Sequence, residues 1–154
     1  MAGGIDDTDR QIIDALLDDG RASASELAER ADVATATATK RLQRLETEGV
    51  VDGYRPEVDY ESFGYEVTAV FKLDVEGSNL RTVVDDLTDA GTMVGVYEVT
   101  GSDDVVAIGK FEDTAAMNEQ IKTLLTRPEV RSVRTSIALD VVCEYDPLPV
   151  TDSV

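Results

Sequence analysis

The chain has 154 residues and a formal net charge of −18, from 32 acidic and 14 basic side chains. Its hydrophobic fraction of 42% excludes general disorder, and the absence of His excludes catalytic triads, Cys–His dyads and histidine-ligated metal sites. A single Cys143, no apolar run of bilayer length and an N-terminus unlike a secretory signal together predict a cytoplasmic protein without disulfides or membrane spans.

The acidic residues are spread along the chain rather than gathered in a tail. An even acidic coat is typical of proteins from halophilic archaea, because salt shortens the Debye length to about 3 Å at 1 M and screens self-repulsion. We therefore expect a halophilic source, with an ordinary acidic protein as the alternative. Taken over the whole chain, this charge argues against nonspecific nucleic-acid binding, which depends on a basic surface.

Three short helices are predicted in the first part of the chain. Apolar residues at helical spacing indicate a first helix that ends at Gly20, and the capping box at Ser23 begins a second one. The third helix is predicted from about residue 35 to 48, with an inward face formed by Ala38, Leu42 and Leu45.

A hairpin is predicted directly after the third helix. Asp52-Gly53 is a strong turn signal between residues 50–51 and 54–58. Three short helices followed by a hairpin predict a winged helix-turn-helix domain over residues 1–60. A generic three-helix bundle has a similar periodicity and is the alternative fold.

The hydrophobic period changes from helical to alternating after a joint at residues 61–65. Residues 66–143 follow the order strand, helix, strand, strand, helix, strand, which is the ferredoxin-like βαββαβ pattern of an α+β fold. The last strand is predicted to run from Val133 to Cys143, with Cys143 pointing inward as a buried side chain. Residues 144–154 are predicted to form a flexible acidic tail.

Several short stretches share their order and spacing with one known family. They are IDDTDRQII (5–13), DGRAS (19–23), ELA (26–28), KRLQRLETEGVV (40–51), GY (64–65), VTG (99–101) and RTS (134–136). Through these stretches the sequence resembles, over roughly residues 5–143, the Lrp/AsnC (feast/famine) family of transcription regulators. The resemblance implies an N-terminal DNA-binding winged helix and a C-terminal effector domain. It also implies dimers that assemble into octamers and hold small ligands, usually amino acids, between effector domains.

The longest stretch without Asp or Glu runs from Val33 to Leu45 and lies on the third helix. Its hydroxyls and cations suit the phosphates and base edges of a major groove, so the predicted DNA-binding residues are Thr35, Thr37, Thr39, Lys40, Arg41 and Arg44. The alternative is a helix whose basic residues only balance Glu46 and Glu48. Ala34 stands where the family usually has a Ser or Thr N-cap, so the helix start is in doubt.

The effector site is expected at the turn after the second strand of the effector domain. The family usually has Gly-Asp-aromatic-Asp there, whereas this chain has Gly101-Ser102-Asp103-Asp104. A carboxylate of this turn could accept a ligand ammonium, and its backbone N–H groups could bind a ligand carboxylate. The predicted effector-binding residues are Glu98, Thr100, Gly101, Ser102, Asp103 and Asp104, with Thr135, Ser136 and Ile137 of a neighbouring subunit. A plain hairpin turn without a ligand is the alternative.

The sequence therefore predicts a sequence-specific DNA-binding transcription regulator that responds to a small effector, an amino acid, through dimer and octamer assembly. Its expected partners are double-stranded DNA, further copies of the chain and the effector. No cofactor, metal site, catalytic residue or membrane partner is expected, and the protein is not expected to be an enzyme. Two other functions stay open: an effector-sensing partner module of a metabolic enzyme with lost or weak DNA binding, and architectural compaction of DNA.

Overall fold

The structure, a computed structural model, describes residues 4–151. The chain forms two compact units. Within the described residues, the helical unit comprises 4–57 together with 143–151, and the sheet unit comprises 58–142. The chain therefore enters the sheet unit once and returns to the helical unit once.

The helical unit contains three α-helices, which are α1 (Asp7–Asp18), α2 (Ala24–Arg30) and α3 (Thr35–Thr47). Capping boxes begin the first two helices, because Asp6 with Asp9, and Ser23 with Glu26, exchange side-chain and backbone hydrogen bonds. A cluster of small and aliphatic buried side chains joins the three helices: Ile12, Ala15, Leu27, Ala28, Ala31 and Ala38.

The start of α3 has no side-chain cap. Ala34 is the N-cap residue, and no side chain accepts a hydrogen bond from the first turn. Asp32 makes the tight turn before the helix in a left-handed conformation, with φ at 50°. The predicted inward face of α3 is confirmed, because Ala38 and Leu45 are fully buried and Leu42 packs against the helical core.

The segment after α3 differs from the predicted hairpin. Residues 50–58 are described throughout and form no paired strand. The type I′ hairpin turn that Asp52-Gly53 favours needs positive φ at both residues, and neither residue adopts it. Instead the Tyr54 hydroxyl donates to the Glu46 carboxylate at 2.7 Å, which ties this extended segment to α3. The winged helix-turn-helix class holds, with an extended wing segment in place of a hairpin.

The sheet unit has the predicted element order: β1 (Val67–Val75), α4 (Leu80–Asp89), β2 (Met93–Glu98), β3 (Val105–Phe111), α5 (Thr114–Leu125) and β4 (Val130–Ile137). Short 3-10 turns at Glu61–Phe63 and Gly77–Asn79 precede β1 and α4. The four strands pair antiparallel in the order β2-β3-β1-β4. This arrangement confirms the α+β fold with a ferredoxin-like second domain.

The alternating residues of β1 define the two faces of the sheet. Phe71 and Leu73 are fully buried in the core that α4 and α5 complete, and the ring of Phe71 meets that of Phe111 edge-on at 5.8 Å. Val70 and Lys72 lie on the opposite face, which we call the open face.

The last strand is shorter than predicted. β4 ends at Ile137, and the final ladder bond of this edge runs from the Ala138 N–H to the Thr68 carbonyl at 2.8 Å. The prediction that Cys143 is a buried strand residue is wrong: it is exposed, and its Sγ donates to the Asp146 carboxylate at 3.0 Å. This contact and the Asp146 charge raise the pKa of the Cys143 thiol.

The C-terminal segment, which the sequence predicts to be a flexible tail, makes contacts in its described part. Its described residues, up to Thr151, belong to the helical unit and hydrogen-bond to α1.

Within residues 4–151, no helix combines the length and the apolar character that crossing a bilayer requires.

Candidate nucleic-acid interface and effector site

One side of α3 is open to solvent along its length. Residues spaced by three or four positions share a helix face, and four such residues are exposed, which we call the exposed stripe: Ala36, Lys40, Gln43 and Thr47. Thr35 and Thr37 are exposed in the uncapped first turn. Within the described residues Lys40 takes part in no ion pair. The exposed stripe is therefore available for a partner.

Arg41 and Arg44, unlike Lys40, form ion pairs within the described part of the chain. The Arg41 guanidinium binds the Asp6 carboxylate at 2.6 Å and the Asp9 carboxylate at 3.0 Å. Arg44 binds the other oxygen of Asp9 at 2.5 Å and approaches Glu48 at 3.8 Å. The side chain of Asp9 is fully buried. These two arginines therefore fix α3 to the first turn of α1.

The ion pairs between α1 and α3 shift the pKa values of both carboxylates. Hydrogen bonding from Arg41 lowers the pKa of Asp6 below its usual range. Burial of Asp9 opposes its ionisation, but hydrogen bonds from Arg44, the Asp6 backbone and Arg41 outweigh burial and lower the pKa of Asp9. Both carboxylates are consequently charged at neutral pH, where they hold the arginines.

The three threonines predicted to contact DNA are not equivalent. Thr35 and Thr37 are exposed, whereas Thr39 is half-buried and its hydroxyl donates to the Thr35 carbonyl at 2.9 Å. The structure therefore separates the six predicted residues into an accessible group of Thr35, Thr37 and Lys40 and an internally bonded group of Thr39, Arg41 and Arg44. Gln43 is also accessible. It is not among the predicted residues, because that prediction rests on hydroxyl groups and cations only.

The predicted effector turn joins β2 to β3. Gly101 has a φ of 118°, which favours glycine, and Glu98, Thr100, Gly101 and Ser102 are all exposed. Asp104 is engaged in the fold: its carboxylate accepts from the Val75 N–H at 2.8 Å, and its own N–H donates to Leu73 at 2.9 Å. Its role here is to fasten the turn to the end of β1.

Asp103 faces a cation within the same chain. Its carboxylate forms an ion pair with Arg134 of β4, a residue absent from the predicted site. Directly paired strand residues point to the same side, so Arg134, opposite Lys72, and Ser136, opposite Val70, lie on the open face. Thr135 and Ile137 lie in the rows of Phe71 and Ala69, on the helix-covered side.

The predicted effector residues thus fall into two groups within one chain. Asp103 connects the exposed turn to Arg134, and Ser136 lies on the same open face as Arg134, whereas Thr135 and Ile137 belong to the other side of the sheet. Within residues 4–151, no group of three His, Cys, Asp or Glu side chains is arranged to hold a metal ion.

Comparison with known proteins agrees with both units. Residues 5–52 match the family model for winged helix-turn-helix DNA-binding, and residues 68–148 match the Lrp/AsnC ligand binding domain. An HTH-type transcriptional regulator of Pyrococcus furiosus is 35% identical over 140 residues, covering 91% of this chain and 95% of that relative.

Solved structures show the same fold. The feast or famine regulatory protein of M. tuberculosis, complexed with L-methionine, has a TM-score of 0.85 at 26% identity, covering 95% of this chain and 99% of that one. A transcriptional regulator of Neisseria meningitidis in complex with L-Met has a TM-score of 0.87 at 24% identity, covering 95% and 97%.

A helix-turn-helix unit followed by a ferredoxin-like ligand-binding domain defines a class of helix-turn-helix transcriptional regulators. The chain belongs to the Lrp/AsnC family of these regulators, as its sequence motifs indicated.

Proposed function

We propose that the protein regulates transcription by placing the exposed stripe of α3 in the major groove of double-stranded DNA. The observation that carries this proposal is the acid-free stretch 33–45 of α3 and the turn before it, with Lys40 and Gln43 facing solvent and the two arginines bonded to α1. Lys40 supplies a phosphate or guanine contact, and the Gln43 amide can pair with an adenine edge. Two copies in a dimer would place two such helices about 34 Å apart on a pseudo-palindromic site.

The test begins with selection of binding sites from fragmented genomic DNA at high salt. Affinity for a selected site is then compared for wild type, Lys40→Ala and Gln43→Ala. We expect each variant to bind at least about fivefold more weakly, since one good base contact is worth about 1–3 kcal/mol. Lys122→Ala, which removes an exposed lysine of the sheet unit, is the matched control. Failure to enrich any sequence, or equal affinity of all variants, would overturn the proposal.

The substitution Arg41→Ala does not show whether Arg41 contacts DNA directly or only positions α3 against α1. Loss of Arg41 removes its bonds to Asp6 and Asp9, so we expect the melting temperature and the DNA affinity to fall together. The exposed-stripe variants should lower the affinity at an unchanged melting temperature, because Lys40 holds no other described residue.

We further propose that the effector is an α-amino acid recognised by the Asp103–Arg134 pair. An amino acid carries the same two charges as this ion pair. Its carboxylate can therefore bind the Arg134 guanidinium, and its ammonium can bind the Asp103 carboxylate. L-methionine bound to the M. tuberculosis relative supports this ligand class. The exposed turn at 98–102 and Ser136 would complete the site, with Thr135 and Ile137 acting from a neighbouring subunit.

Calorimetric titration with L-methionine and then with the other amino acids tests the effector. Arg134→Gln and Asp103→Asn should each abolish measurable binding, whereas Arg131→Gln, on the same strand and paired with Asp74, should retain it. Binding that survives both site variants would place the ligand elsewhere. No binding of any amino acid by wild type would remove the amino-acid effector.

We expect a homodimer that assembles further into an octamer, with effector binding shifting the assembly and thereby DNA affinity. Light scattering with and without the effector measures this shift. The proposed setting is the cytoplasm, and the proposed role is regulatory rather than enzymatic. An enzyme-partner module without DNA binding is not favoured, because residues 5–52 match a DNA-binding family.

A further inference from the structure

The C-terminal segment contacts α1 through hydrogen bonds to Asp14 and from Arg10. Asp14 accepts hydrogen bonds from the backbone N–H groups of Val150, at 2.8 Å, and Thr151, at 2.9 Å. The Thr151 hydroxyl also donates to Asp14, and Arg10 donates to the Val150 carbonyl at 2.8 Å. Four hydrogen bonds therefore join one turn of α1 to two consecutive residues of the tail.

This attachment lies on the outer side of α1. Arg10 and Asp14 are four residues apart on one helix face, and Ile12 and Ala15 enter the core from the other face. Between the tail and α1 runs a cleft of about 630 Å³ whose lining includes Gln11, Leu17, Pro147 and Pro149. The helix is therefore held on two sides, by the core and by the tail.

The described hydrogen bonds between the tail and α1 are polar contacts, and two large apolar side chains of the tail are exposed. Tyr145 is 63% exposed and Leu148 is 81% exposed, so neither buries much apolar surface. Burial of apolar area is the largest stabilising contribution in most docked segments, and this one has little of it. Loss of the Asp14 contacts should therefore release the segment without unfolding the helical core.

Helix α1, which binds the tail, also contacts α3, the helix proposed to bind DNA. Asp6 and Asp9, in the first turn of α1, bind Arg41 and Arg44 of α3, and Arg10 and Asp14 follow within the next two turns. A continuous series of contacts consequently leads from Thr151 through α1 to α3. The tail itself follows β4 along the chain, after residues 138–142.

We propose that residues 143–151 form a releasable strap that fastens α1 through Asp14 and thereby controls how rigidly α1 holds the DNA-binding helix. The fastened strap restrains α1, and the released strap lets α1 and the Arg41 and Arg44 contacts fluctuate. The attachment of the strap to α1 does not depend on the proposed function. Any effect of the strap on DNA affinity rests on the proposed function.

Hydrogen–deuterium exchange of the full chain at high salt tests the strap. We compare wild type with Asp14→Ala, Thr151→Ala and a chain that ends at Asp146. In Asp14→Ala the Val150 and Thr151 amides should exchange at least tenfold faster than in wild type, and α1 should exchange several-fold faster. Thr151→Ala should give a smaller effect in the same direction, and the shortened chain should match Asp14→Ala within α1.

Glu29→Ala is the matched control, because it removes an exposed carboxylate of α2 and should leave exchange at both places unchanged. Random-coil exchange of Val150 and Thr151 in wild type would overturn the strap. Unchanged α1 exchange in Asp14→Ala and in the shortened chain would overturn its control of α1. Lys40→Ala should keep wild-type protection while losing DNA affinity, so failure of DNA binding is separable from failure of the strap.

Discussion

At the scale of single residues, Asp9 has the largest structural consequence in the helical unit. It is a fully buried carboxylate that caps α1 and accepts bonds from two arginines of α3. The pairing of Asp9 with Arg41 and Arg44 could not be predicted from the sequence, because that contact depends on how two helices pack.

Asp9→Asn should lower the free energy of unfolding of the helical unit by about 1.5–3 kcal/mol, the usual contribution of hydrogen bonds to a charged group. The amide keeps the size of the side chain but removes the negative charge that both arginines face. Denaturant unfolding followed by circular dichroism measures the change. Asp7→Asn, an exposed neighbour in the same helical turn, is the control and should change stability far less. Equal effects of the two substitutions would contradict the role given to Asp9.

The pKa shifts predict the direction of a pH dependence. The pKa values of Asp6 and Asp9 are lowered from the ordinary 3.8, and hydrogen bonds from the Thr151 hydroxyl and the Val150 N–H lower that of Asp14. The unfolded chain therefore binds more protons than the folded chain in this acidic range. The stabilisation is fully present above pH 3.8 and is lost as the pH falls through the lower folded-state values.

Unfolding of wild type and Asp9→Asn, measured between pH 7 and pH 2.5, checks this expectation. The difference in unfolding free energy between the two proteins should be constant near neutrality and shrink as Asp9 becomes protonated. A difference that grows toward acid pH would contradict the lowered pKa of Asp9.

At the scale of elements, β3 contains a glycine that the packing requires. A Cβ placed on Gly109 would lie 2.7 Å from Phe111 Cε2 and 3.1 Å from Met93 Sδ. The Phe111 ring is fixed in the core of the sheet unit, so it has little room to move away. This constraint could not be predicted from the sequence, because alternation describes which residues face the core and not how closely they approach one another.

Gly109→Ala should destabilise the sheet unit by about 1–3 kcal/mol through overpacking. Thermal unfolding of this variant is compared with that of Gly77→Ala, where an added Cβ meets nothing within 4 Å and φ is not positive. The control should stay close to wild type. An unchanged midpoint for Gly109→Ala would show that Phe111 relaxes without cost.

Several element boundaries could be predicted because they follow from hydrophobic period and capping, as with Ser23 at α2. Two predictions were wrong because the local sequence pattern did not show which segments would be available to pair with each other. The alternation continues to Cys143, but β1 begins at Val67, so β4 has no neighbour to pair with beyond residue 138. Asp52-Gly53 favours a turn locally, but Tyr54 bonds to Glu46 instead.

The sequence could indicate the segments of the two candidate sites, but not the contacts that their side chains make. The acid-free stretch 33–45 indicated the DNA-binding helix, and the family pattern indicated the turn at 101–104. Side-chain roles required tertiary contacts: Arg41 is bonded to Asp6, Asp104 is bonded to the end of β1, and Arg134 emerged only through its pairing with Asp103.

At the scale of the whole molecule, the charge of −18 and the proposed DNA contact act in opposite directions. The exposed stripe offers one cation, Lys40, so each copy neutralises few phosphates and releases few counterions. Salt also screens repulsion between the acidic coat and DNA. We therefore expect binding to persist at molar salt with a shallow salt dependence.

Affinity for a selected DNA site, measured from low to molar potassium chloride, gives the slope of log affinity against log salt. Each phosphate contact contributes about −0.9 to this slope, so Lys40→Ala should make it shallower by about 1 per bound subunit. The Lys122→Ala control should leave the slope unchanged. A steep loss of wild-type binding between low and molar salt, with the protein still folded, would contradict a mainly non-electrostatic interface.

The exposed position of Cys143 has a practical consequence. It is the chain's only thiol and stands at the first residue of the strap. A fluorophore or spin label attached there would mark every copy once, without engineered cysteines or background labelling. Because the Asp146 contact raises the pKa of this thiol, labelling should be slower than at an ordinary exposed thiol and should speed up as the pH rises. The native chain thus carries its own reporter position for following strap motion in solution.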